Sequence, residues 1–320
     1  MKKAILALFV VTCVFTHGGA ASAAPEDRGP HSCTRYSEAI PARNSGTITA
    51  LVFKTGAGGK RPLIVFRHGF LRTGQSLAAC GEHWASRGCS VILNDARSGI
   101  PPDYTGIDSD DMIDCADWAV QKGSKPGHYL HGAVDSTAVV IGGFSAGGYT
   151  ALIATHKNCA LGDGNFRCAC MVLYDPYPVD AEHAVGLARE IEVPAIMLHA
   201  DDAACNGRGR GKVIYPNTAG PTYAIHVRDA SHCDFEPQAS FGCNLLCAGA
   251  WDRERNTAIR RYATAMIEAY AGKNARAYPY INGTIALDDE RITVYPETRG
   301  LDLPQKPMPA QLNKEPGNRQ

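Results

Sequence analysis

The chain has no net charge, because its 32 lysines and arginines balance 32 aspartates and glutamates over 320 residues. This balance gives no electrostatic reason to expect nucleic acid or an anionic membrane surface as a partner. Long hydrophobic runs are also missing. The N-terminal apolar run at residues 4–11 is too short to span a bilayer, and no later stretch reaches spanning length. The composition therefore favours a globular protein without a membrane span.

The cysteine spacing lacks the pattern of a zinc site, because no paired Cys-x-x-Cys units occur together with histidines. Eleven of the twelve cysteines follow the N-terminal leader, which fits an oxidising compartment better than the cytosol. We therefore expect several disulfides, with at least one thiol left over. Cys243 and Cys247 are close enough in sequence to pair locally.

The N-terminus has the three parts of a secretory signal peptide. A positive start, Met-Lys-Lys, precedes the apolar residues 4–11, and Ala-Ser-Ala-Ala at residues 21–24 forms a small-residue cleavage site. We expect cleavage after Ala23 or Ala24, which makes the protein secreted or periplasmic. The mature chain of about 296 residues, with 30 basic and 32 acidic side chains, is long enough for one large domain.

Apolar, strand-like runs alternate with helix-like segments along the mature chain. The runs are continuously apolar, which is typical of strands covered on both faces of a mostly parallel sheet in an α/β fold. An earlier run at residues 46–54 is predicted to be an antiparallel edge strand. The predicted core strands are 62–67, 89–94, 138–143, 171–174, 194–199 and 223–227, and the predicted helices are 76–86, 110–122, 146–156, 181–189 and 253–271.

The chain is divided into four parts on this pattern. A signal peptide at residues 1–24 is followed by an N-terminal extension at 25–45, the main domain at 46–272 and a C-terminal extension at 273–320. Residues 301–320 carry proline, lysine and glutamine without apolar periodicity, so we expect a loose tail there. One further strand is expected within residues 285–295.

The segment around Ser145 carries the strongest functional signal. A β-branched run leads into Gly-Phe-Ser-Ala-Gly at residues 143–147, and a helix-compatible segment follows directly. A serine on so sharp a turn needs an unusual backbone conformation, and side chains two positions before and after it would collide. The pattern predicts a nucleophile elbow. The alternative is a glycine-rich loop in which the serine caps the helix.

A serine nucleophile needs a base, an orienting acid and an oxyanion hole. His232 follows the last core strand and precedes the long C-terminal helix, so it is the predicted base; a surface-loop histidine is the alternative. The residues leave two positions open for the acid. Asp175 follows the strand after the elbow helix, and Asp201 or Asp202 follows the next strand. Both loops lie at the carboxyl edge of a parallel sheet, where active sites of this architecture gather.

The segment His68-Gly69-Phe70 ends an early strand and is the predicted oxyanion loop. Gly69 lets the backbone turn tightly, so that the Phe70 amide points at the substrate oxygen, and the Ala146 amide is its expected partner. We interpret His68 as structural, shaping the turn. The alternative for the whole segment is an ordinary exit from a strand.

The ordered set of His-Gly-Phe at 68–70, Ser145, an aspartate and His232 resembles the α/β-hydrolase superfamily over about residues 46–271. Residues 68–92, with their His-x-Ala-Ser-x-Gly run at 83–88, are similar to chlorophyllases and to polyester-hydrolase or dienelactone-hydrolase-like esterases. The resemblance implies a three-layer α/β-hydrolase fold with a mostly parallel central sheet. It implies a reaction that requires no cofactor and no metal.

The relatives differ in where they place the acid. In chlorophyllases it belongs to an Asp-Pro pair well beyond the serine, and Asp175-Pro176, thirty residues after Ser145, matches that pattern. The resemblance therefore favours Asp175. Polyester hydrolases place the acid after the next strand, which keeps Asp201 and Asp202 as alternatives.

Two further points follow from the same relatives. Polyester hydrolases tie the acid loop to the histidine loop by a disulfide, which implies a Cys205–Cys233 bridge here. Gly-Phe-Ser-Ala-Gly replaces the Gly-His-Ser-Arg-Gly of chlorophyllases and the Gly-His-Ser-Met-Gly of polyester hydrolases. A chlorophyll substrate is therefore not supported.

The sequence predicts a secreted serine carboxylic-ester hydrolase that acts through an acyl-enzyme on a small-molecule or polymeric ester. Phe70, Tyr177 and Phe235 are candidates for an apolar substrate wall, with core packing as the alternative. A peptidase or amidase with the same triad is a second hypothesis, and a non-catalytic binding protein on a hydrolase scaffold is a third. The sequence leaves the oligomeric state and the acyl and alcohol specificity open.

Overall fold

The computed structural model describes residues 23–295 apart from 101, 240–242, 245, 246, 248, 283 and 284. Nearly all of the predicted leader and the whole predicted tail at 301–320 lie outside these residues. Of the helices within the described ranges, none is both long enough and apolar enough to cross a membrane.

The described residues form one mixed sheet of nine strands with helices packed against it. The strands are β1 (Cys33–Pro41), β2 (Thr47–Thr55), β3 (Arg61–Arg67), β4 (Ser90–Asn94), β5 (Val134–Phe144), β6 (Cys168–Tyr174), β7 (Ala195–His199), β8 (Thr222–Val227) and β9 (Ile292–Val294). Their order in the sheet is β1-β2-β4-β3-β5-β6-β7-β8-β9. The six strands from β4 to β8 in this order pair in parallel, and β1, β2 and β9 pair antiparallel. The predicted α/β class with a mostly parallel sheet is confirmed.

The sheet extends beyond residues 46–272 at both ends. Strand β1 lies in the predicted N-terminal extension and pairs with β2 along its full length, and β9 pairs with β8. The run at 46–54 is therefore the antiparallel strand β2, but it is not an edge strand as predicted. Of the nine residues of β1, Ile40 alone is buried, so this strand has no continuous apolar run that would signal it.

Helices cover both faces of the sheet. Side chains alternate along a strand, so Ile64 and Phe66 of β3 enter one hydrophobic cluster while Leu63 and Val65 enter a second. The first cluster contains α1 and α5, and the second contains α2, α3 and α4. The helices are α1 (Ala78–Ser86), α2 (Ser109–Gly123), α3 (Ala146–Cys159), α4 (Ala181–Ala188), α5 (Arg253–Tyr270) and α6 (Tyr278–Ile281).

The parallel strands place the residues that follow them at one edge of the sheet. Because β5, β6 and β8 run in the same direction, Ser145, Asp175 and the loop containing His232 all leave the sheet at its carboxyl edge. This edge is where ligands bind in open α/β sheets.

Candidate active site

Ser145 occupies the sharp turn between β5 and α3. Its backbone has φ 56° and ψ −119°, a conformation that residues other than glycine rarely adopt. A Cβ atom at Gly143 would collide with the Gly147 carbonyl, and one at Gly147 would collide with the His68 carbonyl. The expected steric requirement for small residues on either side of the serine is therefore present. The fold holds this serine in a strained geometry.

Ser145, His232 and Asp175 form a continuous chain of hydrogen bonds. The Ser145 hydroxyl lies 2.9 Å from Nε2 of His232, and Nδ1 of His232 lies 2.6 Å from Oδ2 of Asp175. Asp175 is buried and His232 nearly so, while Ser145 retains 8% of its surface exposed. With the proton on Nδ1, His232 donates to the carboxylate and presents Nε2 as an acceptor for the serine hydroxyl.

Asp175 remains ionised because its hydrogen-bond partners outweigh its burial. Burial alone raises the pKa of this carboxyl group, but the hydrogen bond and charge of His232, with help from His199 and Asn206, lower the pKa below its ordinary value. The Ala200 amide donates to Oδ1 over 3.2 Å, and Nδ2 of Asn206 donates to Oδ2 over 3.0 Å. The carboxylate is thus fixed in orientation toward His232.

The alternative acids lie in other interactions. Asp201 pairs with His226 at 2.6 Å, and Asp202 pairs with Lys212 at 2.6 Å. Both carboxylates are about half exposed, whereas Asp175 is 2% exposed at its side chain. The structure therefore places Asp175, and neither of the alternatives, against His232.

The His232 ring is held from two sides. Phe144 packs against it with ring centroids 4.6 Å apart, and Phe144 in turn stacks on the buried Phe235. His232 itself begins a short 3₁₀ helix, His232–Phe235, whose start is capped by Asp234: the carboxylate accepts hydrogen bonds from the amide and hydroxyl of Ser231. Phe144 thus covers the ring, and the capped 3₁₀ helix carries the backbone of His232, whose Nε2 lies against Ser145.

The predicted oxyanion loop lies beside Ser145. A Cβ atom at Gly69 would stand 3.2 Å from Cβ of Ser145, so this loop approaches the serine closely. Within the described part of the chain, the amide N–H groups of Phe70 and Ala146 donate to no protein acceptor. Ala146 is also the first residue of α3, where the helix dipole favours negative charge. The two amides are available to a bound oxyanion.

His68 fixes this loop through hydrogen bonds at both nitrogens of its ring. Its Nε2 accepts a hydrogen bond from the Ala96 amide over 3.2 Å, so Nδ1 carries the proton that it donates to the Gly69 carbonyl over 2.7 Å. Burial lowers the pKa of His68 to about 4. The ring therefore stays neutral and joins the oxyanion loop to the neighbouring loop that contains Ala96.

Two residues that support Asp175 were missed in the sequence. Asn206 contacts Asp175 from a loop 31 residues away, while its Oδ1 accepts from the amides of Ala203 and Gly209. His199 is fully buried with Nδ1 4.0 Å from Oδ1 of Asp175, and burial lowers its pKa to about 4. His199 ends β7 and Asn206 follows that strand, and this position beside β6, which Asp175 follows, was their sequence signal.

The predicted Cys205–Cys233 disulfide is wrong. The structure pairs Cys205 with Cys247 and Cys233 with Cys243. Cys243 and Cys247, both in helical conformation, do not pair with each other, because each is bonded to another cysteine. Their sulfurs are 3.8 Å apart. The loop that contains Cys205 is thus joined to Cys247, and the loop that contains His232 and Cys233 is joined to Cys243. The two loops are not joined to each other. Cys233, Cys243 and Cys247 lie close enough together to resemble a set of metal ligands, but their sulfurs belong to these two disulfides.

The three candidate wall residues have different environments. Phe70 is 47% exposed at the cleft, whereas Phe235 is fully buried in the core against Tyr174 and Phe144. Tyr177 is half-buried and packs against Gly207, where a Cβ atom would stand 2.7 Å from its ring. Of the three, Phe70 is the one in position to contact a ligand beside Ser145.

The chain matches no model of a known protein family and none of the curated proteins compared with it. A functional assignment therefore depends on the geometry of the site.

Proposed function

We propose that the protein is a serine carboxylic-ester hydrolase with Ser145 as nucleophile, His232 as general base and acid, and Asp175 as the orienting acid. The observation that carries this proposal is the hydrogen-bond chain from Ser145 through His232 to the buried Asp175 carboxylate. The strained serine at the start of α3 and the two unengaged amides of Phe70 and Ala146 support it further.

The first half of the reaction forms an acyl-enzyme. Ser145 Oγ attacks the ester carbonyl carbon while Nε2 of His232 takes the hydroxyl proton, and Asp175 stabilises the resulting imidazolium. The carbonyl π electrons move to its oxygen, and the amides of Phe70 and Ala146 stabilise that charge. As the carbonyl re-forms, the C–O bond to the alcohol breaks, and His232 transfers its proton to the leaving oxygen.

The second half returns the enzyme to its starting state. Water loses a proton to Nε2 of His232 and attacks the acyl carbon, and the same two amides hold the second oxyanion. Collapse of this intermediate breaks the bond to Ser145 Oγ, which recovers its proton from His232. The products are a carboxylic acid and a free enzyme, and every proton transfer uses the same imidazole nitrogen.

Ser145→Ala is the direct test. We expect turnover of p-nitrophenyl butyrate to be abolished, and we expect a fluorophosphonate probe to label Ser145 in the unmodified protein but nothing in the variant. Ser37→Ala, on the exposed face of β1, is the matched control and keeps full activity. Substantial turnover by a folded Ser145→Ala variant would contradict the proposal, and a folded parent protein that resists labelling would favour a binding protein.

Two broader features belong to the same proposal. The helices on both faces of the sheet and the order of Ser145, Asp175 and His232 along the chain support a three-layer α/β-hydrolase fold. The N-terminal leader and the two disulfides support a secreted or periplasmic location.

A further inference from the structure

The cleft at Ser145 is divided into two lobes by the oxyanion loop, residues 69–72, which lines both of them. The first lobe, of about 180 Å³, lies between this loop and a second wall, and we name it the Ile100 lobe; that wall contains Ala96, Ser98, Gly99, Ile100, Pro102 and Tyr104. The second lobe, of about 210 Å³, lies between the same loop and Cys205, Cys243 and Cys247, and we name it the disulfide lobe. Ser145 lines the disulfide lobe, and the next residue, Ala146, lines the Ile100 lobe.

The Ile100 lobe offers an apolar surface to a ligand. Phe70, Leu71 and Ile100 line it and are 47%, 66% and 77% exposed, which is unusual for large apolar side chains without a partner. The charged groups in its wall are paired: Arg67 and Asp108 form a buried ion pair at 2.6 Å, and Arg72, which lines both lobes, pairs with Glu236. This lobe is therefore suited to an uncharged group.

The disulfide lobe is also largely apolar. Its walls include the Phe144 ring and the sulfurs of Cys205, Cys243 and Cys247. The charged residues at its rim, Arg72 and Glu236, form an ion pair at 2.6 Å, so neither presents an isolated charge to a ligand.

The chemistry of the triad assigns one lobe to each side of the ester bond. His232 lines the disulfide lobe, and Ala146, Gly147 and Thr150 at the start of α3 line the Ile100 lobe. The alcohol oxygen must receive its proton from Nε2 of His232, so the alcohol group faces the disulfide lobe. The acyl substituent, on the other side of the same carbon, then points toward the Ile100 lobe.

We propose that the enzyme acts on esters with an apolar group on each side of the bond, the acyl group in the Ile100 lobe and the alcohol group in the disulfide lobe. This inference rests on the proposed esterase function. Each lobe is slightly larger than the ~150 Å³ apolar cavity that accommodates a benzene molecule. Each therefore takes a group of about one aromatic ring or a short alkyl chain.

Gly99→Phe tests the acyl assignment. Gly99 lines the Ile100 lobe and its φ lies outside the left-handed region. Among the described residues other than its chain neighbours, none has an atom within 4 Å of where its Cβ would stand. An added ring therefore extends from the wall of the lobe without a backbone conflict. Gly58→Phe, equally open but in the loop before β3, is the matched control, and Ile100→Trp is a second, independent filling variant.

Two substrate series are compared by the ratios of their kcat/KM values. In the unmodified protein, we expect p-nitrophenyl hexanoate and hexyl acetate to be better substrates than p-nitrophenyl acetate and ethyl acetate. We expect Gly99→Phe to lower the hexanoate-to-acetate ratio at least tenfold and to change the hexyl-to-ethyl ratio less than twofold. The Gly58→Phe control changes neither ratio.

The opposite pattern, a loss confined to the alcohol series, would overturn the assignment of the lobes. So would unchanged ratios in both filling variants. A failure of the esterase function itself is distinguishable, because the unmodified protein would then hydrolyse no ester in either series and its Ser145 would not react with a fluorophosphonate.

Discussion

Asp175→Asn removes the negative charge behind His232 while keeping the size of the side chain. In the native site the carboxylate accepts from His232 and Asn206 at Oδ2 and from Ala200 at Oδ1, so every contact is with a donor. An amide NH₂ group must replace one of these two oxygens. An NH₂ group that faces His232 cannot accept a hydrogen bond from Nδ1. It would favour the tautomer with the proton on Nε2, and a protonated Nε2 cannot deprotonate Ser145.

The magnitude follows from the charge lost. A unit charge about 4 Å from the imidazolium stabilises it by about 4 kcal/mol at an effective dielectric constant of about 20. Each ~1.4 kcal/mol is a factor of ten in rate, so the loss of charge alone lowers kcat about 10³-fold. The incorrect tautomer adds to this, and a decrease of about 10⁴-fold is known for the equivalent change in serine proteases. We therefore expect kcat to fall between 10³-fold and 10⁴-fold, with KM nearly unchanged.

The assay is the hydrolysis of p-nitrophenyl butyrate, with circular dichroism to establish that the variant is folded. Asp201→Asn and Asp202→Asn are matched controls, since both carboxylates are about half exposed and contact His226 and Lys212, and exposed contacts of this kind contribute about 1 kcal/mol or less. We expect these controls to retain activity within about threefold. The reasoning is refuted if folded Asp175→Asn keeps more than a tenth of kcat, or if Asp201→Asn loses as much.

Two further predictions concern the elbow and the residue behind the acid. In Gly147→Ala the new methyl group collides with the backbone carbonyls of Arg67 and His68, so activity and thermal stability both fall. The control Gly58→Ala has open space for its methyl group and changes neither. Equal melting temperatures for the two variants would contradict the close packing at Gly147. His199 is buried neutral with a pKa of about 4, so protonation of the unfolded chain removes about 3 kcal/mol of stability as the pH falls from about 6.5 toward 4. His199→Phe removes this pH-dependent loss of stability. The melting temperature of the variant therefore decreases less between pH 7 and pH 4.5 than that of the unmodified protein. An equal decrease would be evidence against a buried neutral His199.

The core of the fold was predictable because its strands carry their own signal. Strands β3 to β8 are nearly all buried, so each one is a short, continuous apolar run that can be located without knowledge of its neighbours. Strand β1 escaped prediction for the opposite reason. Its residues are mostly exposed or half-exposed, and it is held by backbone pairing with β2, which leaves no trace in the apolar pattern.

The cysteine pairing and the supporting residues required the folded chain. Four cysteines from three loops meet beside Ser145, and which two bond depends on the directions of their side chains within a small volume. Asn206 and His199 reach Asp175 from a neighbouring loop and strand. The sequence does not reveal these contacts, because many polar residues in such positions do not contact the acid.

By itself the sequence determined a parallel α/β core, a strained serine at 145 and a late histidine at 232, because glycine spacing and chain order are local properties. Its own residues left Asp175 and the pair at 201–202 open, since β6 and β7 are neighbouring parallel strands whose ends reach the same edge of the sheet, and a resemblance alone favoured Asp175. Only the tertiary structure decided this, by placing one carboxylate 2.6 Å from His232, buried among donors, and the other two, each about half exposed, against His226 and Lys212.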